Sequence, residues 1–448
     1  MRPRILKFGG TSVADADRMR RVGALVQAAL PAAPVVVLSA TAGTTNSLLT
    51  AAEAAERGDV AGALLDVRAL GERHRTLAHD LLGPSSTLDA DIDGFVHEIE
   101  MLVRGIGLLR ELSPRSRDAV ASFGERLSTL LLTAHLREEG ILTTHVDARS
   151  VLRTDDGFGA ARPDREAVEG LCAERLRPHV GAQRAVVTEG FVGATEQGVT
   201  TTLGRGGSDY TAALLGEALG AAEVQIWTDV EGVYTADPRI VPDARPIPEL
   251  SFAEAAELAA FGAKVLHPAT IQPAVAAGIP VTVRDTMRPE GRYTSIQAEV
   301  STGRSVTAIA SRTGITVITV TSSRMLMQSG FLERLFEVFG RHAVNVDLVA
   351  TAEVSVSLTV DGSVPLKAVL AELAEFSRVS VAEQRAVVAV IGERLKATAG
   401  VGTKIFGALS DINVEMISMG ANEINLSLVI AAADVPKAVR ALHAALFG

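Results

Sequence analysis

The 448-residue chain is too long for one compact core, and its length points to two to four domains. A formal net charge of −10 leaves no basic surplus to release phosphate counterions, which excludes a general nucleic-acid or anionic-membrane partner but leaves local basic sites for a nucleotide open. Cys172 is the single cysteine, so an intrachain disulfide and a cysteine-rich metal site are excluded and a reducing, cytoplasmic setting is expected. The amino terminus runs into Ile5-Leu6-Lys7-Phe8-Gly9-Gly10 without the long apolar stretch of a signal peptide, and later apolar runs are too short to span a bilayer.

Short apolar strand-like runs alternate with alanine-rich helical stretches over the first two thirds, as at Val35-Val36-Val37-Leu38, Ala185-Val186-Val187 and Gln225-Ile226-Trp227-Thr228. That alternation predicts an α/β fold with a largely parallel sheet covered by helices. After the first strand, Lys7-Phe8-Gly9-Gly10-Thr11-Ser12 forms a glycine turn ahead of a helix. Such a turn lets backbone N–H groups approach phosphate oxygens beside a lysine, or is simply a tight turn with a solvated lysine. The lysine precedes the glycines, which disfavours a Walker A loop. Ser122-Phe123-Gly124-Glu125-Arg126-Leu127-Ser128 sets an acid and a base at a helix start, where a favourable helix-dipole charge is the plain alternative. Leu203-Gly204-Arg205-Gly206-Gly207-Ser208-Asp209-Tyr210 is a second glycine loop before a helix, with Ser208 or Asp209 able to cap it. Arg205 between glycines suits a carboxylate or phosphate better than a core.

Trp227-Thr228-Asp229 through Pro238-Arg239 reads as a long polar loop after a strand, a common place for ligands. Ser251 and Glu254 have capping-box spacing at a helix start. Phe261-Gly262-Ala263-Lys264-Val265-Leu266-His267-Pro268 supplies another lysine near a glycine, while His267 fits a capping or packing role. Around Arg288 to Arg304 the pattern weakens, and the linker is placed there. The final third carries a degenerate repeat. Its first copy has a strand at 316–320, a helix at 331–342 and strands at 345–351 and 354–360; the second has equivalents at 386–391, 403–409, 413–418 and 423–430. Two small βαββ modules are predicted, stacked on one another.

In this order the motifs resemble the aspartate kinases of the amino-acid kinase superfamily over nearly the whole chain, and the duplicated tail resembles their paired ACT domains. The segment Met325 to Phe331, with Val346-Asp347-Leu348-Val349-Ala350-Thr351, is most similar to the monofunctional lysine-sensing type. The resemblance implies an eight-stranded, mainly parallel sheet sandwiched by helices in an amino-acid kinase domain at 1–294. A linker and first regulatory strand at 295–312 and ACT-type domains at 313–383 and 384–448 would follow, with no dehydrogenase extension. It implies transfer of the ATP γ-phosphoryl group to the β-carboxylate of L-aspartate, with Mg²⁺ bridging phosphates and no protein metal site. Lys7 and Asp209 would be catalytic, and Thr45, Glu125, Arg205 and Ser208 would hold aspartate. Lys7, Gly9, Gly10, Ser12, Thr228, Asp229, Tyr234, Arg239 and Lys264 would face ATP. Met325, Gly330, Phe331, Leu332 and Asp347 would form an effector site for lysine or, second, threonine, in a homodimer or homotetramer joined through the ACT domains. The competing readings are an amino-acid kinase for another acceptor and a catalytically silent amino-acid sensor, against which the retained Lys7, Arg205 and Asp209 speak.

Overall fold

The computed structural model describes residues 2–84, 87–262, 267–300, 303–326, 329–420 and 422–448. Two compact units emerge. One comprises Met1–Val233, Pro248–Phe252 and Val265–Glu299, the other Tyr234–Ile247, Ala253–Lys264 and Val300–Gly448.

The first unit is built on an eight-stranded sheet. Its strands are β1 (Arg4–Phe8), β2 (Pro34–Leu38), β3 (Leu142–His145), β4 (Arg184–Glu189), β7 (Glu223–Thr228), β8 (Glu249–Ser251), β9 (Val281–Asp285) and β10 (Thr294–Gln297), while β5 (Val192–Ala194) and β6 (Thr200–Thr202) pair separately as a hairpin. The sheet order is β3-β4-β2-β1-β7-β9-β10-β8, with β10 antiparallel to β9 and the remaining neighbours parallel. Val35, Val36, Val37 and Leu38 are buried on both faces, as a central parallel strand requires. Helices Ala16–Ala29 and Phe123–Glu138 contribute Met19, Val22, Leu127 and Leu131 to a core shared with Leu6, Phe8, Val36 and Leu38. Asp15 caps the first of these, its carboxylate accepting the Arg18 N–H at 2.9 Å. The registers Phe8↔Leu38, Leu38↔Glu189 and Phe8↔Trp227 bring the carboxyl ends of β1, β2, β4 and β7 to one edge, the usual place for ligands in such sheets.

β10 lies inside the stretch read as linker, and the first unit continues to Glu299. Only Thr294 and Ile296 of this four-residue strand are buried, so its apolar signal is too small to stand out between Gly291 and Ser301.

The second unit contains one six-stranded antiparallel sheet rather than two separate ones. β11 (Ala308–Thr321), β12 (Val349–Thr351), β13 (Ser355–Asp361), β14 (Arg378–Ile391), β15 (Met416–Met419) and β16 (Asn425–Ala431) are ordered β12-β13-β11-β14-β16-β15. The long strands β11 and β14 pair along their lengths, and each serves both modules. Ile318 and Val320, in the second half of β11, share a core with Phe331, Leu335 and Phe339. Ile309, in its first half, joins the core of Val388, Ile405 and Leu428 instead. Each module also has a second helix, Lys367–Ala374 or Val435–Phe447, beyond the βαββ pattern.

Candidate active site

A cleft of about 270 Å³ opens at the carboxyl ends of the parallel strands, lined by Lys7, Ser39, Thr45, Glu125, Phe191 and the loop Gly204, Gly206, Gly207, Ser208 and Asp209. Five of the proposed site residues, from four separate segments, therefore meet in one place: Lys7, Thr45, Glu125, Ser208 and Asp209. Close backbone approach makes this possible. A Cβ at Gly124 would lie 2.7 Å from the Ala40 Cβ and 3.3 Å from Thr45 Oγ1, and one at Gly190 would lie 2.6 Å from the Ser208 Cβ.

Lys7, next to last in β1, places its Nζ 2.7 Å from Asp209 Oδ1, in the first turn of helix Gly207–Leu219. The two side chains are 11% and 14% exposed. The contact is Coulombic rather than a directed hydrogen bond, since Oδ1 has no hydrogen-bond partner of good angle. Glu125 faces the cleft from the start of helix Phe123–Glu138 and is 4% exposed. Burial pushes its carboxyl up to about 8, against the pull of backbone N–H groups of Ala40 and Glu125 itself, with the charge of Glu189 adding to the rise. Its Oε2 is buried without a partner among the described residues. Arg126 on the same turn lies against Phe95 and Phe123, at 4.5 and 4.3 Å from their ring centres, which fixes the helix start.

Other expected residues are placed less simply. Arg205 is exposed on the Gly204–Gly206 turn, with no ion-pair partner among the described residues. Gly9 spends its N–H on the Trp227 carbonyl at 3.2 Å, so this group is not free for a phosphate. Ser12 is buried, its hydroxyl 2.7 Å from Thr286 Oγ1. Gly10 packs where an added Cβ would meet the Ala40 carbonyl at 2.7 Å. Thr228 ends β7 and Asp229 follows it, beside the end of β1, with the Thr228 hydroxyl donating to Asp229 Oδ1 at 3.2 Å. Tyr234 and Arg239 group with the second unit, where Arg239 is exposed and paired to Asp237 at 2.7 Å. Lys264 lies outside the described residues.

In the second unit Gly330, at φ 87°, precedes helix Phe331–Arg341. Phe331 is a core residue set edge-on to Phe376, Met325 packs against the same core, and Leu332 is exposed. Asp347 is ion-paired with Arg312 of β11.

Phe191 and Ser39 line the cleft but were not identified from sequence. Phe191 adopts a left-handed φ of 66°, rare for a phenylalanine, with its N–H donated to Thr211 Oγ1 at 3.0 Å. Nothing in a Glu-Gly-Phe sequence announces that conformation.

A parallel sheet ending in two glycine loops, with a buried lysine, an aspartate and an unpartnered carboxylate around one cleft, defines a phosphotransferase for small anionic acceptors. The profile of the amino acid kinase family matches residues 2–285, and that of an ACT domain matches 388–446. Lysine-sensitive aspartokinase 3 of Escherichia coli is 43% identical over 457 residues, covering 99% of both chains. Chloroplastic aspartokinase 3 of Arabidopsis thaliana is 38% identical, covering 99% of this chain and 81% of its own. Two crystal structures of E. coli aspartokinase III superpose over the full length of both chains. The complex with lysine and aspartate (T-state) has a TM-score of 0.83 at 41% identity, and the complex with aspartate and ADP (R-state) has 0.84 at 42%. The chain belongs to the aspartokinases of the amino acid kinase family.

Proposed function

We propose that the cleft binds L-aspartate beside the ATP phosphates, and that the chain transfers the γ-phosphoryl group to the aspartate β-carboxylate, giving β-aspartyl phosphate and ADP. The observation that carries this is the buried, unpartnered Oε2 of Glu125 in the same cleft as the Lys7 and Asp209 pair. It offers an acceptor for an ammonium near a cation for a phosphoryl group. The attacking carboxylate is already anionic at neutral pH, so the reaction needs alignment and charge neutralisation rather than a general base. Lys7 stabilises the transferring phosphoryl group, and Asp209 holds Lys7 in place. Glu125 receives the α-ammonium, Arg205 grips a substrate carboxylate, and Thr45 and Ser208 complete the pocket. Gly10, Ser12, Thr228, Asp229, Tyr234, Arg239 and Lys264 remain assigned to the nucleotide side, with Gly9 contributing through its small size rather than its N–H.

Among the described residues no cluster of three His, Cys, Asp or Glu side chains is arranged to hold a metal ion. Mg²⁺ is proposed to arrive on the nucleotide, where it would neutralise phosphate charge when bound and need few protein ligands. No described helix is long and apolar enough to cross a membrane; the proposed cytoplasmic location rests on the single cysteine. Catalysis is assigned to 1–294 and regulation to the ACT-type modules at 313–383 and 384–448, with subunits joined as a homodimer or homotetramer through them. Hydroxylamine trapping with ATP and a panel of amino acids tests the acceptor, because hydroxylamine captures acyl phosphates. Aspartyl hydroxamate should dominate; a larger yield from glutamate would overturn the assignment.

Lysine, then threonine, is the proposed feedback inhibitor, bound at Met325, Gly330, Phe331, Leu332 and Asp347. Arg312 already supplies Asp347 with a cation, and both side chains are 31% exposed. An incoming ammonium must compete with it. Since a partly exposed pair contributes about 0.2–1 kcal/mol, Arg312→Ala should lower the half-inhibitory lysine concentration roughly two- to fivefold, whereas Asp347→Ala should raise it. Inhibition curves unchanged in both variants would remove Asp347 from the effector site.

A further inference from the structure

Behind the Glu125 helix lies a second carboxylate to which the roles above give no part. Glu189 ends β4 and is 1% exposed. Its Oε1 accepts from His145 Nε2 at 2.6 Å and from the Thr129 hydroxyl at 2.9 Å, and its Oε2 accepts the Ala148 N–H at 2.8 Å. The donors come from β3, from the turn after it, and from helix Phe123–Glu138. Thr129 Oγ1 also lies 3.0 Å from the carbonyl of Glu125, one turn earlier on that helix. In the other direction, Glu189 leads directly into Gly190 and Phe191, and the Gly190 N–H is held by the Leu38 carbonyl at 2.8 Å. One buried side chain thus ties together the helix that presents Glu125 and the strained turn that presents Phe191 to the cleft.

A carboxylate used only as a staple could be replaced by a neutral amide, yet this one carries charge next to the buried carboxyl of Glu125. His145 is its only direct ionisable partner among the described residues. Burial works against the imidazolium, but the hydrogen bond and charge of Glu189 outweigh it and raise the affinity of His145 for its proton. Asp147, Arg137, Arg149, Arg126 and Glu98 are the other charged groups facing this network.

We propose that Glu189, clamped by His145, is a positioning residue of the aspartate pocket that sets both the placement of Glu125 and the electrostatic field in which Glu125 meets the substrate ammonium. The inference rests on the reading of Glu125 as the ammonium partner. With Glu189 anionic behind it, Glu125 resists ionising until aspartate binds, and the arriving ammonium offsets the charge that Glu125 then takes on beside Glu189.

The test is steady-state kinetics between pH 6 and 9, with aspartate and ATP varied separately. Glu189→Gln keeps the side-chain shape and removes the charge. The acid limb of kcat/KM for aspartate should move to lower pH by about half a unit to one unit, with far smaller changes in the KM for ATP. Glu189→Ala should raise the KM for aspartate on the order of tenfold by releasing the Glu125 helix. An unmoved acid limb in Glu189→Gln overturns the proposal even if Glu189→Ala fails to fold. Equal increases in both KM values for Glu189→Ala would also overturn it, marking a general structural role. A wild-type profile without an acid limb, together with a silent Glu125→Gln, would remove the Glu125 reading and this inference with it.

Discussion

Lys7→Ala is expected to lower kcat on the order of 10³-fold while changing the KM for aspartate only about threefold or less. The lysine's compact charge stands where negative charge shifts as the phosphoryl group leaves ADP, so its contribution is greatest in the transition state. Substrate binding, in contrast, draws on the Glu125 side of the cleft. Asp209 complicates the reading, because at 14% exposure it would lose its one ion-pair partner among the described residues and could destabilise the helix start. Thermal denaturation separates the effects. A variant with near-native melting and a collapsed kcat places Lys7 in the chemistry, whereas turnover within tenfold of wild type would remove it from the mechanism.

For Glu125→Gln the emphasis reverses, with a KM for aspartate raised on the order of 10²-fold and kcat at saturation much less affected. The pH dependence sharpens this expectation. Burial holds the Glu125 carboxyl at about 8 in the empty cleft, so at pH 7 the neutral form predominates. The substrate ammonium requires the anion. Aspartate binding below pH 8 must therefore expel a proton, and kcat/KM for aspartate should rise close to tenfold per pH unit up to about 8 and then level off. Glu125→Gln has no proton to release, and its profile should be flat over the same range. A wild-type profile already flat from pH 6, or an acid limb that survives in the variant, would place the titrating group elsewhere.

The chemistry of the cleft was legible in sequence wherever it resides in charged residues next to glycines. Lys7, Glu125 and Asp209 each stand close to a glycine in the sequence, and all three line the cleft. The glycines serve a partly different purpose from the one read in the sequence. Gly124 and Gly190 are needed for close packing between segments, and Gly9 gives its N–H to a neighbouring strand. Phe191 and Glu189 were not legible, since one acts through a backbone angle and the other through partners distant in sequence. The repeated tail showed its apolar alternation but not its sharing of strands. Periodicity reports which face of a strand is buried, and it is silent on whether the two halves of that strand serve different cores.

That sharing gives the regulatory unit a nested topology. The outer module takes its edge strand from residues 308–313 and pairs it with 386–391, and the inner module occupies the chain between them. Its two ends are thus clamped side by side by a neighbour's hydrogen bonds, much as a closed loop is held at its neck. Folding the inner module shortens the loop that the outer one must close, so the entropy of assembling the second is reduced by completing the first. Conversely, a chain cut between the modules would keep one core nearly whole and deprive the other of the strand at its edge, so the two halves of the repeat are not interchangeable pieces.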